Sequence, residues 1–311
     1  MNNTWFLIAN PSSATATAGQ RWMDCEKQLL DAGLKVEHAI TEYKAHAIEL
    51  AREAAEKGCR KFIAMGGDGT VHEVMTGLLR FADATEGANL GDFTLAVIPA
   101  GTGNDWIRSA GIPADIQEAV ACIIKGRTGK EDVVRMTFEN GVFCMANIGG
   151  IGVDAAICHN TNKLKEKGHK GGMLYTMVAP YSTLSRKRNP VEIVLDGEVV
   201  YKGKLFTATL GNGTYRGNGL IQTAQDTKWD DGLLDISIMP GVNHIKGLSL
   251  MMHCLSGDLA VQPGMITKRF RKMTVKPLSD RKDMVEVDGE IPGRLPLTME
   301  VTGQQINIIV A

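Results

Sequence analysis

Two glycine-rich turns, and a third candidate turn after the first strand, carry the residue types that could do chemistry in this chain. Gly66-Gly67-Asp68-Gly69-Thr70, with Glu73 one turn on, sets bare backbone beside a carboxylate and a hydroxyl. Glycines without a Cβ let the main chain approach a ligand, and amides at a helix start attract an anion such as phosphate. Asp68 repels bare phosphate, so its presence points to a metal or its water shell between the two. The alternative is a tight strand-to-helix turn in which Asp68 only caps a helix. A second turn, Pro99-Ala100-Gly101-Thr102-Gly103-Asn104-Asp105, follows the next apolar run in the same way. A third, Asn10-Pro11-Ser12-Ser13, follows the first. The chain contains neither the G-x-G-x-x-G dinucleotide fingerprint after its first strand nor a G-x-x-x-x-G-K-[ST] loop.

The elements that must position these turns can be read from periodicity. Trp5–Ala9, Leu34–Ile40, Lys61–Met65 and Thr94–Ile98 are short apolar runs expected to be strands. Residues 20–32 and 45–57 and the segment after Gly69 show helical spacing, with Val71, Val74, Met75 and Leu78 on one stripe. Alternating strands and helices predict a three-layer α/β domain with a parallel sheet, whose ligands bind at the strand C-terminal ends. Beyond about residue 130 the period changes. Val191–Leu195 and Glu198–Tyr201 flank Asp196-Gly197, a hairpin signal. Leu205–Leu210, Leu233–Met239, Met273–Lys276, Met284–Val287, Leu297–Val301 and Ile306–Val310 add strand candidates. The expectation is an N-terminal α/β domain over 1–130 and a mainly antiparallel β-sandwich domain over 131–311.

Composition narrows the partners. With 34 basic and 35 acidic side chains and a net charge of -1, a dedicated nucleic-acid binder is not expected. The cysteines are scattered with no CxxC pair, which argues against zinc and for a reducing cytosol. No charge-free apolar run is long enough to span a bilayer, so any membrane contact is expected to be peripheral. The basic run Lys163–Lys170, with Arg186-Lys187-Arg188, could meet anionic headgroups or be an ordinary solvated face. The histidines, His72 among them, show no ligand spacing. A sandwich edge could pair with a second copy as a homodimer.

Gly66-Gly67-Asp68-Gly69-Thr70 with Glu73, followed by Gly101-Thr102-Gly103-Asn104-Asp105, resembles the diacylglycerol kinase catalytic-domain family, which includes bacterial lipid kinases and sphingosine kinases. Asn10-Pro11, Thr41, the Asn147–Ala155 segment, Gly211-Asn212-Gly213, Gly217-Asn218-Gly219, Asp231-Gly232-Leu233-Leu234-Asp235 and Asp288-Gly289-Glu290 match in order along nearly the whole chain. The resemblance implies ATP and Mg2+ as cofactors. It places Asn10, Pro11, Thr41, Gly66, Gly67, Asp68, Gly69, Thr70, Glu73, Thr102, Asn104 and Asp105 around the nucleotide. It implies Asp68, Asp288 and Glu290 as catalytic carboxylates, Glu290 being the base that takes the acceptor's proton. It also implies a structural magnesium held through Lys228, Asp231 and Leu233. Asp196-Gly197-Glu198 carries the same three letters as the late triplet, but falls too early in the order and joins a simple hairpin. The implied protein is a cytoplasmic, peripherally membrane-associated lipid kinase acting on a free lipid hydroxyl, diacylglycerol foremost. The alternatives are a kinase of a soluble acceptor (NAD or a sugar phosphate) and a nucleotide sensor without turnover.

Overall fold

The computed structural model describes residues 3–11, 18–101, 103–169, 173–217, 219–221, 227–256 and 261–311. Thr102, Ser12, Ser13, Lys170, Asn218 and residues 222–226 lie outside the described residues.

Four parallel strands open the chain: β1 (Thr4–Ala9), β2 (Lys35–Ile40), β3 (Lys61–Gly66) and β4 (Thr94–Pro99), in the order β2-β1-β3-β4. Their registers place Ala9 beside Ile40 and Met65, and Gly66 beside Pro99. The strands therefore end level, and all the loops that follow them share one edge. Side chains alternate across this sheet, as strand geometry requires. Phe62 and Ala64 pack with α2 (His46–Glu56) and α3 (Asp68–Ala84) on one face. Ile63 and Met65 pack with α1 (Ala18–Asp31) and α5 (Ile116–Lys125) on the other. The short helix α4 (Asp105–Ser109) lies between the last loop and α5.

The second half is mainly antiparallel. Its strands are β5 (Thr128–Phe138), β6 (Gly141–Met145), β7 (Ile148–Gly152), β8 (Pro190–Leu195), β9 (Glu198–Gly211), β10 (Tyr215–Arg216), β11 (Leu220–Ile221), β12 (Leu234–Pro240), β13 (Ile266–Phe270), β14 (Lys272–Pro277), β15 (Met284–Val287), β16 (Glu290–Arg294) and β17 (Leu297–Ile309). The main path runs β16-β15-β7-β9-β8-β14-β17, with β12 and β13 added beside β9, and β5 and β6 beside β17. Val191, Ile193, Leu210, Val285 and Met299 are among the residues closing its core. Helices α6 (Val153–Glu166), α7 (Met173–Ser185) and α8 (His244–Ser256) form a satellite layer with its own apolar cluster.

β17 departs from the sequence expectation in an informative way. Leu297–Val301 and Ile306–Val310 read as two strands, yet they form one. Gly303, at φ +76°, lets the chain bulge without breaking. Before the bulge β17 pairs with β14. After it, Asn307 and Ile308 pair in parallel with Thr94 and Leu95 of β4. The end of the chain thus becomes the fifth strand of the first sheet, and the two halves share one continuous backbone ladder.

Candidate active site

The loops at the level edge are laced together by backbone bonds. Asn10 N donates to Met65 O (2.9 Å), Thr41 N to Ala9 O (2.9 Å) and Ala100 N to Gly66 O (2.8 Å). Asn10 also donates from Nδ2 to Thr70 Oγ1 at 3.2 Å. A Cβ placed on Gly101 would lie 2.5 Å from the Cα of Gly67, so these two turns touch backbone to backbone. Asn104, at φ +51°, closes its own turn by donating to Gly101 O at 2.9 Å. Pro11 follows Asn10 on the exposed side of the first turn.

Asp68 begins α3 but caps a different helix. Its Oδ2 accepts from Asp105 N (3.0 Å) and its Oδ1 from Trp106 N (2.9 Å), the first amides of α4. Burial pushes its pKa up to about 6, against the lowering effect of those two amides. Asp105 is buried, and its Oδ1 accepts from Gly219 N at 2.7 Å. A Cβ on Gly103 would stand 3.4 Å from Asp68 Oδ2 and 3.8 Å from Asp105 Oδ2. The bare Cα of Gly103 therefore leaves room between two carboxylate oxygens. Glu73 works one element away. It accepts from Ala45 N (3.0 Å) and Ala47 N (3.2 Å), capping α2 and fixing the loop after Thr41. Burial raises its pKa.

The late triplet arrives from the second half of the chain. Asp288 is 3% exposed. Its carboxylate accepts from Ala146 N (2.8 Å), Asn147 N (2.8 Å) and Ile148 N (2.9 Å). The group thus anchors the turn to the β6–β7 connection, with His72 Nδ1 at 3.3 Å on its other side. Gly289 is held through both its polar groups. Its N donates to Glu286 Oε1 (2.8 Å), while its O accepts from Asn162 Nδ2 (2.8 Å) and Cys158 Sγ (3.1 Å). Glu286 is fully enclosed, and burial lifts its pKa to about 8. So clamped, the turn presents Glu290 to the first half of the molecule. Its Cγ and Oε1 stand 3.6 Å from where a Cβ on Gly69 would be. Its Oε2 is 2.6 Å from Lys44 Nζ. The Gly66–Thr70 turn and the late carboxylate, remote in sequence, are thus brought side by side.

Of the residues expected around a structural magnesium, Asp231 is the one with a side-chain carboxylate. Asp231 Oδ1 accepts from Leu233 N at 3.1 Å, and its Oδ2 lies 2.6 Å from Arg269 Nη2. Arg269 Nε is also 3.4 Å from Asp235 Oδ1. Lys228 is exposed beside this turn. Asp231 thus holds its own turn through one oxygen and meets a guanidinium through the other.

Several of these partners were not legible as site residues. Lys44, His72 and Glu286 belong to no spaced motif. Glu131, buried under α4, accepts from Trp106 Nε1 at 3.0 Å and was equally silent. Arg186, expected in a basic surface cluster, is instead buried against Asp283 at 2.6 Å.

Comparison with known proteins agrees with this geometry. Residues 4–136 match the family model of the diacylglycerol kinase catalytic domain, and residues 148–310 match that of the YegS C-terminal NAD kinase beta sandwich-like domain. A diacylglycerol kinase of Staphylococcus aureus (strain bovine RF122 / ET3-1) is 30% identical over 93% of this chain and 87% of its own. A "Probable lipid kinase YegS-like" of Stenotrophomonas maltophilia (strain K279a) is 26% identical over 97% of this chain and 90% of its own. Among solved structures, "Crystal structure of a putative diacylglycerol kinase from Bacillus anthracis str. Sterne" superposes with a TM-score of 0.75 at 25% identity, over 99% of this chain and 98% of that one. With both halves matched by their own models and the motifs brought together at one edge of the first strands, the chain belongs to the diacylglycerol kinase and YegS-like family of lipid kinases.

Proposed function

We propose that this protein transfers the γ-phosphoryl group of ATP to a lipid hydroxyl, with diacylglycerol giving phosphatidic acid as the foremost reaction. The observation that carries this reading is the placement of Glu290 beside Gly69, its Cγ and Oε1 3.6 Å from the Cβ position that Gly69 leaves bare. It sets a carboxylate against the loop whose amides would hold the donor phosphates. Phosphoryl transfer asks mainly for positioning and charge neutralisation. Amides of Gly67 and Gly69 supply the cradle, and Asn10, Thr41 and Thr102 line the nucleotide. Magnesium, bound with the nucleotide, would neutralise charge on the phosphate oxygens. Asp68 and Asp105, flanking the bare Gly103, are the residues that would hold it. Glu290 accepts the proton of the attacking hydroxyl. Asp288 acts on Glu290 through the turn it anchors.

We further propose a nucleotide-binding domain over 1–130 and an acceptor domain over 131–311, with the cleft between them as the reaction site. Among the described residues no helix is long and apolar enough to cross a membrane. A cytoplasmic enzyme resting on an anionic bilayer is favoured by the exposed stripe Met177, Tyr181 and Leu184 on α7, near the exposed Lys163, Lys165 and Lys167.

Labelled phosphate transfer from ATP, compared across extracted membrane lipids, NAD and fructose 6-phosphate, tests the acceptor. Label is expected in the organic phase, with the lipid product identified by mass spectrometry. Product confined to the aqueous phase would sink the lipid reading.

A further inference from the structure

The loop between β2 and α2 carries one cation into the cleft. Lys44 belongs to neither of the glycine turns nor to the late triplet, yet its Nζ lies 2.6 Å from Glu290 Oε2. Its backbone is placed with care: the next residue, Ala45, takes φ +66° and donates its N–H to Glu73 Oε1 at 3.0 Å. Glu73 in turn extends from α3, the helix that begins at the Gly66–Thr70 loop. The lysine is thereby registered to the donor loop, while its charge meets the acceptor-side carboxylate. Its side chain is 68% exposed and that of Glu290 30% exposed. The paired Oε2 is itself enclosed, but a cation so open to solvent contributes little to stability. Partial burial opposes the ammonium charge, but Glu290 outweighs it and holds the Lys44 pKa above its ordinary value.

We propose that Lys44 is a further catalytic residue, the cation that accompanies the phosphoryl group as it crosses from the donor loop to the acceptor. The proposal rests on the reading of Glu290 as the base. In the resting site the ammonium is neutralised by Glu290. During transfer the acceptor oxygen forms its bond to the γ-phosphorus, and the bond from that phosphorus to the β,γ-bridging oxygen breaks. ADP leaves with the electron pair, and the acceptor's proton passes to Glu290. Protonation removes the lysine's partner as the acceptor oxygen becomes part of a charged phosphate ester beside it. The ammonium then pairs with the phosphoryl oxygens, so the cleft retains a charge pair throughout the step. This is stabilisation present in the transition state and weak in the ground state, the kind that raises kcat rather than substrate affinity.

Three variants test it: Lys44→Met, Lys44→Arg and Glu290→Gln, each assayed for label transfer from ATP to extracted membrane lipids, for ATP affinity by titration, and for thermal midpoint. Lys44→Met is expected to keep its thermal midpoint and ATP affinity while kcat falls roughly 10- to 100-fold. Lys44→Arg is expected to recover part of the loss, because the charge returns. Unchanged kcat in Lys44→Met, or an arginine variant no better than methionine, overturns the role of Lys44. Loss of ATP affinity matching the loss of kcat also overturns it, since the lysine would then hold ground-state nucleotide. Turnover that survives in Glu290→Gln removes the base reading itself. A dead Glu290→Gln beside a fully active Lys44→Met removes only the lysine.

Discussion

At the scale of single residues, carboxylates of the same type do different work because their surroundings differ. Asp288 and Asp68 accept hydrogen bonds from backbone amides, whereas Glu290 meets the exposed Lys44. Glu290→Gln is therefore expected to lower kcat by roughly 10²- to 10⁴-fold with ATP binding and fold retained, measured by label transfer and nucleotide titration. Glu286 supports a prediction about pH. Burial favours its neutral form, so the folded state holds a proton there that the unfolded state releases near the ordinary value of 4.5. That stabilisation is complete below 4.5 and is lost as pH rises through about 8. Glu286→Gln carries no ionisable group and keeps the acceptor for Gly289 N. It should be the more stable protein at pH 9 by on the order of a few kcal/mol, with the gap narrowing as pH falls below about 8 and vanishing near 4.5. Denaturant melts of both proteins across that range check it, and a pH-independent gap would refute it.

At the scale of elements, the glycine turns owe much of their composition to each other. Gly66 and Gly67 read as bare backbone for a ligand, but a Cβ on Gly101 would already collide with the Gly67 main chain. Neither partner in that contact is a flexible side chain that could move aside. Gly101→Ala is expected to cost about 1–3 kcal/mol and to part the two loops. Gly103→Ala makes a useful contrast. Its methyl group would sit in ordinary contact range, 3.4 Å from Asp68 Oδ2. That variant should keep near-native stability but lose affinity for magnesium-bound ATP. Parallel denaturation and titration experiments distinguish the two, and equal stability losses would contradict the assignment. The helices follow the same logic: α2 and α4 begin where they do because Glu73 and Asp68, both on α3, accept their first amides.

At the scale of the whole molecule, β17 ties the halves. Its later residues lie beside β4, and its earlier ones pair with β14, so the two halves form one continuous sheet. Removing residues 304–311 takes away Ile306, Ile308 and Ile309 from two apolar clusters at once. Each fully buried aliphatic side chain is worth about 1.5–3 kcal/mol, so the loss rivals the stability of an ordinary domain. The truncated chain is expected to lack a cooperative unfolding transition in calorimetry. Retention of a native-like melt would show that the first sheet closes without its fifth strand.

What the sequence determined by itself was whatever depends on near neighbours. The strands at 61–65 and 94–98, the helix after Gly69 and the Asp196-Gly197 hairpin follow from apolar period and turn chemistry, which act over a few residues. Even so, Glu198–Tyr201 with Leu205–Leu210, and Leu297–Val301 with Ile306–Val310, each read as two strands and proved to be one. The motifs, matched in order, pointed to the family. Only the tertiary structure decided which groups face the cleft. Lys44 meets Glu290, Asp231 meets Arg269, and Arg186 is drawn inside to Asp283. None of these pairs has a spacing rule, because each partner sits on a different element. Which carboxylate stays charged depends on burial and neighbouring charge, and those exist only once distant strands have been brought side by side.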